Sequence, residues 1–282
     1  MENQDQCLLK IRSLYKSFTK KEKKVADYIL SNSGVIYMSI TEFAEACNVG
    51  ETTIIRFCKK IGMEGYQEFK LQLARETVKP EEDVHENITP HDSIIDVIKK
   101  TTYSNTIAIQ DTAKVISPSQ LEKAVDAIIN AEKVDLYGVG ASAFTAGDAK
   151  YKFMRIGINA EAISDPHMQC MSAVNLSNKG VAIGISFSGS TKDTVDSLTF
   201  AKNAGAFTIA ITNYEKSPIT KVADVVLLTS ARETPLRSGA LTSKIAQLHV
   251  LDILYTLLAI KKKEKAYEML NKTAEAVISK LY

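Results

Sequence analysis

The 282-residue sequence lacks the features that mark metalloproteins, disulfide-rich proteins and membrane proteins. Its four cysteines, at positions 7, 47, 58 and 170, form no Cys-x-x-Cys pair, and its four histidines show no metal-ligand spacing. The longest apolar run, Val250 to Ile260, contains Asp252 and is shorter than the roughly 20 residues that span a bilayer. The first residues have neither the basic n-region nor the apolar h-region of a signal peptide. We therefore expect no metal, no cofactor, no membrane contact and a cytoplasmic location.

An excess of charge of one sign is also missing, because the net charge is only +2. The distribution is uneven, however, and residues 10–24 contain seven basic side chains and one acidic one. Such a cluster is most often a solvated helix face, and it indicates nucleic-acid binding only beside a DNA-reading element. On that condition, Lys20 and Lys24 are candidate DNA contacts.

Residues 1–79 have a helical pattern throughout. Two capping boxes, Thr19-x-x-Glu22 and Ser39-x-x-Glu42, predict helix starts. After Ser39 the apolar residues at 40, 43, 44 and 47 follow helical spacing, and the pattern repeats at 54, 57, 58 and 61 after a break at 48–50. This predicts a helix-turn-helix, whose second helix lies in the major groove of DNA.

Burial of one face of the second helix leaves the opposite face free to contact DNA. The candidate DNA contacts on that face are Thr52, Thr53, Arg56 and Lys60. Arginine can bind guanine through two hydrogen bonds, threonine can contact bases or phosphate, and lysine suits phosphate. An ordinary helical hairpin fits the same spacing.

A polar, acidic and proline-containing stretch around residue 80 predicts a domain boundary. We expect a linker and connecting helix at 80–117, with the helix from Ser93 to about Thr112. The second domain, 118–282, begins with a helix capped by Ser119-x-x-Glu122. Short apolar runs then alternate with helical stretches at 134–137, 158–163, 181–185, 207–211 and 225–228. The pattern predicts an α/β domain with a five-stranded parallel sheet flanked by helices.

Hydroxyl side chains and a glycine are concentrated at 186–191, directly after the third apolar run. The first N–H groups of a helix lack internal partners and carry the positive end of its dipole, so they attract phosphate. Ser186, Ser188 and Thr191 can add hydroxyl donors, and Gly189 lets the backbone approach closely. A second loop of small residues, 138–142, follows the first run. Both loops are predicted to lie where strands meet helix N-termini, which is where parallel sheets bind ligands.

Taken together, the motifs resemble the RpiR family of bacterial transcription regulators, in which a helix-turn-helix is joined to a sugar isomerase (SIS) domain. The resemblance covers nearly the whole chain. It is carried by the order and spacing of Thr19-x-x-Glu22, Val25-x-x-Tyr28, the turn segment 46–56, 57–62, 65–70, Gly138-x-Gly140-x-Ser142, 165–169, Ser186-x-Ser188-Gly189-x-Thr191 and 243–248.

The resemblance implies that a phosphorylated sugar binds the SIS domain and shifts a homodimer or homotetramer between DNA-binding and non-binding states. The DNA would be a near-palindromic operator of sugar or amino-sugar catabolism genes, with repression the expected mode. The implied effector contacts are Ser186, Ser188 and Thr191 for the phosphate, Ser142 near the phosphate or sugar, and His167 and Lys244 for a sugar such as an N-acetylhexosamine 6-phosphate. A histidine bonded to backbone and a solvated lysine are the alternatives for the last two positions.

Two positions depart from the family pattern. Ser190 stands where glutamate often precedes the threonine, which removes a negative charge near the anion. Gly50 stands at the expected N-cap of the recognition helix, where serine is common and where glycine costs only a few tenths of a kcal/mol.

Two other functions fit parts of the sequence. SIS domains also occur in sugar-phosphate isomerases, where His167 or Glu233 could move a proton. Gly138-x-Gly140-x-x-Ala143, with Glu161 or Asp165 about 20 residues on, matches a dinucleotide-binding pattern. The N-terminal helices, which an isomerase does not need, and the serine loop favour a regulator without catalytic residues.

Overall fold

The computed structural model describes residues 7–77, 88, 91–233 and 240–280. Contacts divide the chain into two compact units. The first extends to Thr106 and the second begins at Ile107, so the division lies inside a helix, and the described residues Arg232, Glu233 and Ala240 group with the first unit. The predicted boundary between residues 79 and 80 lies outside the described residues.

The first unit begins with a series of helices, as the sequence predicts: α1 (Cys7–Leu14), α2 (Lys20–Ser31), α3 (Ile40–Ala46), α4 (Glu51–Lys60) and α5 (Tyr66–Thr77). Both predicted capping boxes are present, at the starts of α2 and α3. Asn48 adopts a positive φ of 50° in the turn before α4, and Gly50 is the N-cap of α4. Asparagine is among the residues that adopt a positive φ most readily, so Asn48 suits this turn.

The core of this unit contains every apolar position that the helical spacing predicts, from Ile40 through Ile61. Cys47 and Cys58 are among them, and burial raises the pKa of their thiols to about 11 and about 12, respectively. Neither forms a reactive thiolate near neutral pH, because the thiol is the stable form there.

Two helices lead into the sheet: α6 (Ile94–Val115), slightly longer than predicted, and α7 (Pro118–Asn130). The predicted capping box Ser119-x-x-Glu122 is wrong. Ser117 is the N-cap, and its hydroxyl accepts a hydrogen bond from the N–H of Gln120. Pro118 stands at the first helical position, where its missing N–H costs no hydrogen bond, and the helix therefore starts earlier.

The second unit contains a parallel sheet of β1 (Lys133–Tyr137), β2 (Ala160–Ile163), β3 (Gly180–Ile185), β4 (Phe207–Thr212) and β5 (Val225–Leu228), in the order β2-β1-β3-β4-β5. All four strand pairs are parallel. Each strand coincides with one of the five predicted apolar runs, so the predicted fold class is confirmed. The remaining helices are α8 (Ala141–Arg155), α9 (Pro166–Val174), α10 (Lys192–Asn203), α11 (Pro218–Val222), α12 (Leu241–Lys262) and α13 (Glu264–Glu275).

Helices cover both faces of the sheet. Successive strand residues point to opposite faces, so Leu136 and Ile183 pack with α7, α8 and α12, whereas Tyr137 and Ala182 pack with α9, α10 and α11. Among the described helices, α12 alone is long and apolar enough to cross a membrane by length and composition. Four of its side chains are buried in the core of the second unit, so its composition is that of a core helix: Val250, Leu251, Leu254 and Leu258.

Candidate effector site and DNA-contacting face

The two predicted anion-binding loops follow neighbouring strands. Strands β1 and β3 pair directly, with Tyr137 opposite Gly184, so the loops after them start side by side. The chain goes from β1 to one edge of the sheet and from β3 to the other, which makes this point the topological switch. Open parallel sheets bind ligands at such a point, outside the carboxyl ends of the strands.

The serine loop, residues 186–191, leads from β3 into α10. The buried Ser186 hydroxyl lies 3.0 Å from the Thr191 hydroxyl, and the half-buried Ser188 hydroxyl accepts a hydrogen bond from the N–H of Ser190 at 3.2 Å. Thr191 is the N-cap of α10, but its side chain makes no capping hydrogen bond. The first N–H groups of α10 therefore have no side-chain acceptor and can bind an anion.

Gly189 gives this loop its shape. Its φ is +61°, and a β-carbon at this position would lie 2.1 Å from the Ser217 hydroxyl oxygen. The Gly189 N–H donates to the Ser186 carbonyl at 3.1 Å, and the Gly189 carbonyl accepts from the N–H of Ile219 at 2.9 Å. The loop is thus held between β3 and α11 at a distance that only glycine permits.

Ser142 lies in the first turn of α8, after the loop that follows β1. Its hydroxyl is half-buried and lies 3.5 Å from the side-chain amide nitrogen of Gln247, a buried residue of α12. The Gln247 carbonyl oxygen in turn accepts a hydrogen bond from Thr145 at 3.1 Å. Gln247 belongs to the 243–248 motif, but nothing in its sequence environment marks it as the residue that ties α12 to the site.

Lys244 lies one turn before Gln247 on α12 and is half-buried. Its ammonium nitrogen is 5.4 Å from the centroid of the Phe144 ring, a distance suited to a cation–π contact. The alternative of a freely solvated lysine is therefore incomplete. On the same helix Ile245 and Leu248 are half-buried, whereas Ala246 is fully buried.

His167 is exposed on the first turn of α9 and, among the residues that the structure describes, has no hydrogen-bond partner. His167 is therefore not a structural histidine bonded to backbone.

The two acidic candidates for a dinucleotide site, Asp165 and Glu161, both interact with other protein groups. Asp165 caps α9 by accepting from the N–H of Met168 at 2.9 Å, and Glu161 pairs with Lys150 at 2.6 Å.

Gln169 is a site-supporting residue that sequence reasoning missed. It is fully buried, and its amide nitrogen donates to the carbonyls of Gly138 at 2.9 Å and Ile163 at 2.7 Å. It therefore joins the ends of β1 and β2 beneath the loop that carries Ser142. The only available signal was its place in the 165–169 motif, because a buried glutamine needs tertiary partners that the sequence does not show.

The predicted DNA-contacting helix, α4, exposes Thr52 and Arg56, whereas Thr53 is half-buried. Lys60 is exposed too, and its ammonium donates to the Glu22 carboxylate at 2.8 Å and to the Ser17 carbonyl at 3.0 Å. It joins the end of α4 to the start of α2.

Three other basic residues are exposed near these helices. Lys59 lies beside Lys60 on α4, and Lys20 and Lys24 lie one turn apart on α2. None of their side chains has a hydrogen bond or an ion pair within the described part of the chain. They therefore remain free to meet phosphate, whereas Lys60 supports the fold.

Comparison with known proteins places the chain in a family. The helix-turn-helix domain of the rpiR family matches residues 5–80, and the SIS domain matches residues 127–257. An HTH-type transcriptional regulator of Caldanaerobacter subterraneus is 44% identical over 268 residues, which are 95% of each chain.

Two solved structures extend the comparison. The structure of Vibrio vulnificus NanR complexed with ManNAc-6P has 31% sequence identity and a TM-score of 0.87, covering 98% of this chain and 99% of that one. The sugar isomerase domain of an RpiR transcription factor from Sphaerobacter thermophilus shares the fold, with 23% identity and a TM-score of 0.58 over 64% of this chain and 98% of that one. The chain therefore belongs to the RpiR family of helix-turn-helix transcriptional regulators and carries a SIS domain.

Proposed function

We propose that this regulator senses a phosphorylated amino sugar at the rim formed by the loops after β1 and β3, and that it represses sugar-catabolism genes in the cytoplasm. The observation that carries the proposal is the start of α10, where N–H groups without a side-chain cap lie next to three hydroxyl groups. Thr194, in the same first turn, also has a fully buried hydroxyl without a partner among the described residues. Buried polar groups usually find a partner, so a bound ligand or water is expected there.

Each predicted effector residue has a role in this proposal. Ser186, Ser188 and Thr191 hold the phosphate together with the α10 N-terminus, and Ser142 contacts the phosphate or the sugar. His167 and Lys244 contact the sugar. The amino-sugar class is supported by the 31% identity with a protein whose structure contains ManNAc-6P.

In this proposal each predicted domain has one function. Residues 1–79 bind DNA, 80–117 connect, and 118–282 bind the effector. A homodimer or homotetramer places two α4 helices on the half-sites of a near-palindromic operator, about one DNA turn apart or a multiple of it. The effector releases DNA by binding more tightly to the conformation that cannot bind DNA. It can change the affinity for DNA only by as much as its own affinity differs between the two conformations.

We infer that the chain has no catalytic role. The exposed His167 lacks the hydrogen-bonded neighbour that would orient a general base, and the N-terminal domain has no use in an isomerase. Measurable turnover of a sugar phosphate by the purified protein would favour an isomerase instead.

The test compares two serines whose hydroxyl groups make the same local hydrogen bond at opposite ends of strand β3. Ser188 accepts a hydrogen bond from the N–H two residues later at 3.2 Å, and Ser177, before β3, does the same at 3.3 Å. At 100 times its dissociation constant, ManNAc-6P should stabilise the wild type by about 2.7 kcal/mol. We expect Ser188→Ala to lose most of that stabilisation and the effector response of operator binding, while effector-free DNA binding stays unchanged.

Ser177→Ala should behave as the wild type in both measurements. A Ser188→Ala variant that binds ManNAc-6P as tightly as the wild type would contradict the phosphate site. A wild-type protein stabilised by none of a panel of sugar phosphates would contradict the proposed effector class.

A further inference from the structure

The outer face of α4 carries one apolar side chain, Ile55. Ile55 is 38% exposed and is not part of the core to which its neighbours Ile54 and Phe57 belong. The exposed residues around it on this face are polar or basic, namely Thr52 one turn earlier and Arg56 and Lys59 after it. Ile55 therefore lies among the side chains that face DNA in the proposed function.

This placement has a cost for the free protein, because a β-branched residue loses rotamer freedom in a helix. Single exposed apolar residues are common on protein surfaces, so exposure by itself assigns nothing. Here the residue stands at the middle of the helix that reads DNA, where an apolar group has a specific partner.

That partner is the C5-methyl group of thymine, which the major groove presents as its apolar feature. We propose that Ile55 contacts a thymine methyl in each half-site and thereby reads sequence, beside the hydrogen-bonding Arg56. The inference rests on the proposed function, because it requires that α4 enters the major groove.

The first unit holds α4 in a way that suits such a contact. At the start of the helix, Glu51 accepts a hydrogen bond from Thr41 of α3 at 2.5 Å, and at its end Lys60 is paired with Glu22 of α2 at 2.8 Å. Ile55 lies between these two anchors. A methyl contact is effective only at van der Waals distance, so a helix fixed at both ends can present Ile55 with the required precision.

The experiment removes the Ile55 side chain and the thymine methyl group, first separately and then together. Wild-type protein first selects its sequence from random duplexes at fixed salt, and each thymine of the selected half-site is then replaced by uracil, which lacks only the methyl group. We expect one thymine per half-site whose replacement weakens wild-type binding about fourfold, the factor that follows from losing one buried methyl group. For Ile55→Ala, the same replacement should change nothing.

Leu30→Ala is the matched control, because Leu30 of α2 is also 38% exposed. It should keep the full wild-type response to uracil, and unchanged melting temperatures of both variants establish that they fold. If Ile55→Ala keeps the wild-type response at every thymine, or if no thymine responds in the wild type, the assignment of Ile55 is overturned. If the wild type selects no sequence at all, the proposed function fails first, and the assignment fails with it.

Discussion

Replacing Gly189 with alanine tests whether the shape of the serine loop creates the anion site. The new β-carbon would lie 2.1 Å from the Ser217 hydroxyl oxygen and 2.9 Å from the Thr212 hydroxyl oxygen. Ser217 is fully buried at the start of α11, and its hydroxyl is bonded to the Tyr214 carbonyl at 3.2 Å. The Ser217 β-carbon would also be only 2.6 Å away, so rotation of its hydroxyl cannot relieve the overlap and the backbone of the serine loop or of α11 must shift by about 1 Å to restore van der Waals separation.

The expected cost has two parts. A non-glycine residue at φ +61° costs about 1–3 kcal/mol in backbone strain. Forcing a methyl group into a packed site adds about 1–3 kcal/mol. We expect Gly189→Ala to lower the free energy of unfolding by roughly 2–6 kcal/mol, the sum of the two ranges.

Gly205→Ala is the control, because Gly205 also has a positive φ, of +93°, but a β-carbon there would meet nothing closer than the Asn178 nitrogen at 3.5 Å. It should show the strain cost alone. The assay is urea unfolding of the wild type and both variants, with and without saturating ManNAc-6P. We expect the stabilisation by ligand to persist in Gly205→Ala and to disappear in Gly189→Ala.

Two results would refute this reasoning. Equal stability of the two variants would mean that the β-carbon is accommodated without moving the loop. Full ligand stabilisation of Gly189→Ala would mean that the loop conformation does not determine anion binding.

Two further substitutions probe the interior. Burial lowers the pKa of Lys70 to about 8, so between pH 8 and the unfolded value near 10.4 the unfolded chain holds the proton that the folded chain has lost. Between these two pH values, the free energy of unfolding of the wild type should therefore rise relative to that of Lys70→Met by up to about 1.4 kcal/mol per pH unit. Urea unfolding that shows no such trend would mean that Lys70 titrates normally. Gln169→Leu leaves the carbonyls of Gly138 and Ile163 without their hydrogen-bond donor, so it should lower the free energy of unfolding by about 2–4 kcal/mol and weaken ManNAc-6P binding. If calorimetry shows an unchanged affinity for ManNAc-6P, Gln169 does not support the site.

Local patterns predicted most of the fold because they depend on neighbours in the chain. The capping boxes at Thr19 and Ser39 each join residues three apart, and both are present. The five strands follow from apolar runs of four to six residues. The capping box at Ser119 was wrong although it is equally local, since Pro118, the residue directly before Ser119, is a stronger start signal and places the N-cap at Ser117, two residues earlier than the pattern predicted.

The candidate site was predicted in part. The hydroxyl groups at 186–191 could be recognised because they are contiguous and follow a strand. Gln169 and Gln247 could not, because each acts on backbone or side chains 31 and 105 residues away, respectively. The roles of Ser188 and the other effector residues remain predictions until binding is measured.

The sequence by itself determined the helix-turn-helix, the five strands and the family, since periodicity, capping and motif spacing are properties of short segments and their order. The tertiary structure decided which charged and polar side chains are free. Lys60 looks like a DNA contact in the sequence, but folding brings it within 2.8 Å of Glu22, 38 residues earlier in the chain. Lys60 therefore lies on the exposed surface of α4 with an ion-pair partner that the sequence does not show, and the physical reason is that an ion pair depends on distance in space, which no local pattern contains.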